Sequence, residues 1–169
     1  MIIVGRGVVI PGDNVDTDVM YPGQYLNIED PERMKSYLFE GYDSALREQL
    51  GDGAIIVTGR NFGIGSSREH VPLAMKAWGV RCVLGVSFAR IFRRNCINLG
   101  LPALECPDAA QAARPGSSVR IDTDTGEVMV DGTSFRAQPV PRFVQDLQNA
   151  GGLVDWARLR TRSSVNDSS

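Results

Sequence analysis

Histidine and cysteine are scarce in this chain of 169 residues: there is one histidine, His70, and three cysteines, Cys82, Cys96 and Cys106. Structural zinc and iron–sulfur sites usually take four Cys or His ligands, and the chain has no C-x-x-C pair, so no metal of its own is expected. Three cysteines spaced 14 and 10 residues apart do not make a disulfide framework. Cys82 and Cys96 stand in apolar-periodic surroundings and read as buried thiols in a reducing compartment, the cytoplasm. No run of roughly 18 apolar residues exists, so no helix is expected to span a bilayer. The stretch from Met1 to Gly7 lacks the charged, apolar and small-residue regions of a signal peptide and reads as a strand. A large excess of either charge is missing too. The net charge of -2 provides no footprint for nucleic acid or an anionic membrane.

What is present suits one globular domain, with hydrophobic residues at 43% and charged residues at 22%. A strand over Ile2 to Ile10 runs into the turn residues Pro11 to Asn14, and the loop continues through Asp16-Thr17-Asp18 and Pro22-Gly23. Pro31 opens a helical stretch whose buried face is Met34, Tyr37, Leu38 and Phe39. Ala54 to Val57 is a continuous apolar run, as in a strand covered on both faces. A helix through Leu73, Ala74, Ala77 and Trp78 ends at Gly79. The strand Val80 to Val86, the helix Phe88 to Leu99 and the strand Leu101 to Leu104 complete a parallel βαβ arrangement. Beyond Pro115-Gly116 the pattern changes to short alternating strands around Val119, Ile121, Val128 and Val130. The turns Asp124-Thr125-Gly126 and Asp131-Gly132 make these an antiparallel meander. A last helix covers Pro141 to Asn149 and breaks at Gly151-Gly152. The sequence thus predicts an α/β fold, a parallel βαβ core with an antiparallel β extension, as a single domain over residues 1–162. The polar tail 163–169 is expected to be disordered.

The chemistry concentrates in the glycine-rich loop from Gly59 to His70. Its glycines let the backbone approach a ligand, and backbone N–H groups converge ahead of a helix. Pro72 fits only near the free first turn, which places that turn around Arg68 to Pro72. Ser66, Ser67 and Arg68 then sit together at the positive helix end, where two hydroxyls and a guanidinium suit a carboxylate. The loop lacks the lysine of a P-loop, and its glycines do not follow the dinucleotide spacing. The competing reading is that Ser66 or Ser67 merely caps the helix.

Three ordered motifs carry a resemblance. Asn61-Phe62-Gly63-Ile64 runs into Gly65-Ser66-Ser67-Arg68-Glu69-His70. Upstream stands Gly12-Asp13-Asn14-Val15-Asp16-Thr17-Asp18, followed by Pro22-Gly23-Gln24-Tyr25-Leu26. Downstream stand Ser87 to Asn95 and Asn98 to Pro102. Together they resemble the swivelling domain of the aconitase-type hydro-lyases, in particular the isopropylmalate dehydratase small-subunit family. The resemblance implies a swivelling β/β/α domain and a dehydration–rehydration reaction that interconverts 2- and 3-isopropylmalate in leucine biosynthesis. It implies a heteromer with a large subunit that carries a [4Fe–4S] cluster, with no cofactor on this chain. It gives Ser66 the role of proton-transfer base and makes Ser67 and Arg68 binders of substrate carboxylate. Asp18, Gly65 and His70 become supporting residues.

One departure bears on the substrate. Family members acting on a third carboxylate tend to place an arginine after Tyr-Leu, whereas here Asn27 and Ile28 follow Tyr25-Leu26, with no cation until Arg33. A neutral loop there suits a small dicarboxylate whose variable arm is alkyl. Related hydro-lyases acting on homoaconitate, methylmalate or citramalate, or dimethylmalate remain alternatives within the class. An RNA- or anion-binding module using Arg90, Arg93 and Arg94 is the alternative outside it. Asp16 and Asp18 can also be read as solvated turn residues.

Overall fold

The computed structural model describes residues 1–166. Seven strands form one mixed sheet: β1 (Ile2–Ile10), β2 (Ala54–Thr58), β3 (Cys82–Gly85), β4 (Ala103–Glu105), β5 (Ser118–Asp122), β6 (Glu127–Val130) and β7 (Thr133–Arg136). Their spatial order is β4-β3-β2-β1-β5-β6-β7. From β1 to β4 the pairings are parallel, and from β1 through β5 to β7 they are antiparallel. The helices are α1 (Thr17–Met20), α2 (Pro31–Met34), α3 (His70–Ala77), α4 (Arg90–Asn98), α5 (Pro107–Ala112), α6 (Arg142–Ala150) and α7 (Leu153–Asn166). None of them is long and apolar enough to cross a membrane.

Alternation across the pleat builds two cores. On β2, Ala54 and Ile56 face a cluster containing Val71 and Met75 of α3 and Phe92 and Cys96 of α4. Ile55 and Val57 face a second cluster with Ala109 and Ala110 of α5 and with Val119, Ile121, Val128 and Val130 of the antiparallel strands. All five residues of β2 are buried, which is why this strand reads as a continuous apolar run.

Parallel pairing decides where the loops go. Ile10, at the end of β1, pairs with Thr58, at the end of β2, and Thr58 pairs with Gly85, at the end of β3. The segments that follow these three strands therefore leave the sheet side by side, and they are the three motifs. Asp16 caps α1, accepting the backbone N–H of Asp18 at 2.6 Å, and Asp30 caps α2 ahead of Pro31.

The structure departs from the sequence reading in several places. The expected strand over Val80 to Val86 is shorter, and the helical stretch from Pro31 splits into α2 and a 3₁₀ turn, Lys35–Tyr37. Helices α1, α5 and α7 were not anticipated. Helix α7 also carries residues 163–166, which were expected to be disordered, whereas 167–169 lie outside the described residues. Ser163 Oγ donates to the carbonyl of Leu159, and Thr161 Oγ1 to that of Ala157, so this polar stretch winds on local bonds.

Candidate active site

Backbone bonds fasten the glycine loop on both sides. Towards the first motif, Asn14 N donates to Arg60 O at 2.9 Å, Gly63 N to Val15 O at 2.9 Å and Thr17 N to Ile64 O at 2.9 Å. The Asp13 carboxylate accepts Arg60 N at 2.7 Å. Towards the third motif, Phe62 N donates to Ser87 O at 3.1 Å and Ala89 N to Phe62 O at 2.9 Å. Gly65 is required twice over: its φ is +94°, and a Cβ there would overlap the Asp16 carboxylate. The threonine of the first motif closes the junction, with Thr17 Oγ1 donating to Ser66 O at 2.6 Å.

Ser66 lies on the exposed rim of this junction. Its hydroxyl donates to Asp18 Oδ1. Arg68 Nε donates to Ser66 Oγ at 3.0 Å and sits 2.9 Å from the same Asp18 oxygen, while Nη1 donates to Tyr21 O at 2.6 Å. Arg68 is well covered, at 15% side-chain exposure against 49% for Asp18, so its pairing is less screened than that of a surface ion pair. Nη2 has no partner among the described residues and is the part of the guanidinium left for a ligand. Neither serine caps α3: the N-cap position is Glu69, and no side chain bonds there. The capping reading is overturned, because the Ser66 hydroxyl is directed to Asp18 rather than to the helix.

Ser67 is also exposed and accepts a bond from Asn95 Nδ2 at 3.2 Å. Asn95 is a buried polar side chain of α4. The sequence displayed it inside the third motif but gave no sign of its task, since only the fold brings α4 beneath this loop. His70 Nε2 lies 3.0 Å from Leu26 O, and its ring is 5.0 Å from that of Tyr21. Burial raises the Tyr21 phenol above its ordinary range, and its hydroxyl donates to Tyr25 O at 2.9 Å.

The two residues expected over the substrate's variable arm part company. Asn27 is exposed at the edge of the site, but Ile28 is buried in the core cluster beneath it and offers no surface to a ligand. That corrects its assignment as a binding residue. Arg90, Arg93 and Arg94 point to solvent from α4, with Arg93 3.9 Å from Glu105. The cysteines are free and buried. Burial pushes the Cys82 thiol up to about 12 and raises those of Cys96 and Cys106. Among the described residues no three His, Cys, Asp or Glu side chains group as a metal site.

Comparison with known proteins agrees with this geometry. The aconitase C-terminal domain family matches residues 17–109, 93 of the 169. The 3-isopropylmalate dehydratase small subunit of Caldanaerobacter subterraneus subsp. tengcongensis is 44% identical over 153 residues, covering 89% of this chain and 95% of the relative. The 2,3-dimethylmalate dehydratase small subunit of Eubacterium barkeri is 48% identical over 147 residues, covering 86% and 90%. The crystal structure of 3-isopropylmalate dehydratase from Methanocaldococcus jannaschii superposes with a TM-score of 0.91 at 36% identity, covering 99% of each chain. A domain match over more than half the chain, and relatives similar along nearly their whole length, show that this chain belongs to the aconitase C-terminal domain family.

Proposed function

We propose that this chain is the small subunit of a hydro-lyase of the 3-isopropylmalate dehydratase type, interconverting 2- and 3-isopropylmalate in leucine biosynthesis. The observation that carries the reading is the Ser66 hydroxyl, held between Asp18 and Arg68 on an exposed loop and capping nothing. Reversible dehydration of a malate requires removal of a proton from the carbon beside a carboxylate. Ser66 Oγ receives that proton as its own hydroxyl proton passes along the hydrogen bond to Asp18 Oδ1. The electron pair left on carbon forms the double bond as the neighbouring hydroxide departs, and rehydration at the other carbon reverses the steps. A serine oxygen is a base only where positive charge favours its deprotonated form, and Arg68 Nε at 3.0 Å supplies that charge. Asp18 takes the hydroxyl hydrogen bond and orients the oxygen. Ser67, with its own oxygen held by Asn95, and the Arg68 Nη2 group bind the carboxylate on which charge builds.

The family resemblance adds a large subunit carrying a [4Fe–4S] cluster, a group for which the described residues of this chain offer no ligand set. When bound there, the cluster supplies the Lewis acid for the departing hydroxide. The partner also closes the site, since Gly65, Ser66 and Ser67 are open to solvent here. Free thiols suit a cytoplasmic setting.

Asn27 makes the substrate an alkylmalate rather than a tricarboxylate, because a buried third carboxylate without a cation would cost several kcal/mol, roughly that of an unpaired charge. The Eubacterium barkeri relative makes 2,3-dimethylmalate the second reading. The test is reconstitution with the large subunit and measurement of kcat/KM for isopropylmalate, dimethylmalate and homoaconitate, in the wild type and in Asn27→Arg. Isopropylmalate is expected to lead, with homoaconitate gaining in the variant. Equal wild-type efficiencies, or an unchanged ratio in Asn27→Arg, overturn the assignment of this loop to the substrate arm.

A further inference from the structure

The segment from Tyr21 to Ile28 is held at both ends by residues of the Ser66 loop. Arg68 Nη1 takes the carbonyl of Tyr21 at 2.6 Å, and His70, two residues on, takes the carbonyl of Leu26 at 3.0 Å. A carbonyl oxygen only accepts, so the His70 Nε2 that faces it carries a hydrogen, in the neutral ring as in the cation. The ring has a fixed support: Tyr21 has no exposed surface, and the two rings lie 5.0 Å apart at 30°. Tyr21 also ties the turn from the other side, its hydroxyl donating to Tyr25 O at 2.9 Å, while Ile28 N donates to the same oxygen at 3.1 Å. Asn27 therefore stands between a residue whose carbonyl His70 holds and a residue whose side chain is anchored in the core.

We infer that His70 is a positioning residue: its ring N–H clamps Leu26 and so fixes Asn27, the residue facing the substrate's variable arm, to the helix that begins beside Ser66 and Arg68. The clamp makes the loop that selects substrate and the loop that moves the proton one rigid unit. A nitrogen committed to a backbone carbonyl does not exchange protons with substrate, so Nε2 is no acid–base group. The role in selection rests on the alkylmalate reading above; the clamp itself does not.

Two measurements separate these layers. In the full chain, amide hydrogen exchange of a peptide spanning residues 25–29 reads the clamp without any reaction. His70→Leu, which keeps the bulk and loses the donor, should speed that exchange by about three- to tenfold, the scale of one neutral hydrogen bond. His70→Gln, whose amide N–H can reach the same carbonyl, should restore protection. In the enzyme assembled with its large subunit, His70→Leu should raise KM for isopropylmalate by about the same factor, leave kcat within roughly twofold, and be rescued by Gln. If His70→Leu does not fold, His70→Asn, whose shorter amide cannot reach Leu26 O, should shift exchange and KM in the same directions. Unchanged exchange in a folded His70→Leu overturns the clamp. A kcat loss of ~100-fold at constant KM overturns it in favour of a catalytic histidine. A wild-type assembly inactive on isopropylmalate sinks the substrate reading while the exchange result still decides the role of His70.

Discussion

Both halves of the sheet use turn carboxylates to hold backbone, Asp13 and Asp16 in the parallel half among them, but only the parallel half turns one, Asp18, to other work. In the antiparallel half the turn carboxylates are spent on the fold. Asp122 accepts the backbone N–H of Asp124 and Thr125, and Asp131 accepts Ser117 Oγ at 2.7 Å and Ser118 N at 2.9 Å. In the parallel half Asp18 faces outwards, to a serine hydroxyl and a guanidinium with a free edge. The difference follows from strand direction. Antiparallel turns alternate between the two ends of the sheet and close on themselves. Parallel strands release their following loops at one end, where residues far apart in sequence meet. The family match over 17–109 ends before β5, so it too covers the half that gathers the chemistry.

The contrast can be broken most sharply at Ser66. In the assembled enzyme Ser66→Ala should lower kcat by at least ~100-fold, the scale of a lost acid–base group, with little change in the melting temperature of the isolated chain. Near-normal turnover would move the base elsewhere. Arg68→Lys comes next: an ammonium lacks the planar fork that spans Ser66, Asp18 and Tyr21 and leaves no donor for substrate, so a rise in KM and a fall in kcat, each on the order of tenfold, are expected from steady-state kinetics. Ile121→Val is the converse test, in the other half. Ile121 is fully buried, and the lost methylene should cost about 0.5–1.5 kcal/mol in denaturant unfolding, with kinetic constants unchanged.

The last effects are in pH, and they should separate the halves. Cys82 in β3 has its thiol raised by burial to about 12, against ~8.5 in an unfolded chain. Below ~8.5 both states hold the proton; above it the unfolded state loses its proton first, so stability falls as pH rises towards the folded value. Asp131 is shifted the other way, lowered by its bonds from Ser117 and Ser118, so its contribution is present above ~3.9 and is lost as pH falls. Melting curves of Cys82→Ala should lose part of the alkaline slope, and those of Asp131→Asn part of the acid slope. Slopes equal to the wild type in both would show that neither group is linked to folding.

Much of this was legible in the sequence because it was encoded locally. The strand Ile2–Ile10, the end of α3 at Gly79 and the meander turns follow from periodicity and turn chemistry. Ser66, Arg68 and Asp18 were found by motif, and their meeting at one point required the fold. What was missed lacked a local signal. Helix α5 has six residues, too few for a repeating face, and α7 follows two glycines that read as a stop. Ile28 stands alone between Asn27 and Glu29, so no pattern marks it as core; a turn folding back onto Tyr25 puts it there. Asn95 looked like one more polar residue of an arginine-rich helix until α4 was seen beneath Ser67.

The sealed cysteines have a practical consequence for watching this molecule at work. All three thiols are buried, and burial holds them in the unreactive protonated form, so at neutral pH the native chain offers an alkylating dye almost nothing to attack. A single cysteine introduced at an exposed position, Glu69 above all, would be a unique attachment point for a fluorophore or spin label without prior removal of the native thiols. Such a probe at the rim of the open site would report arrival of the large subunit and of substrate as separate optical or spectroscopic events.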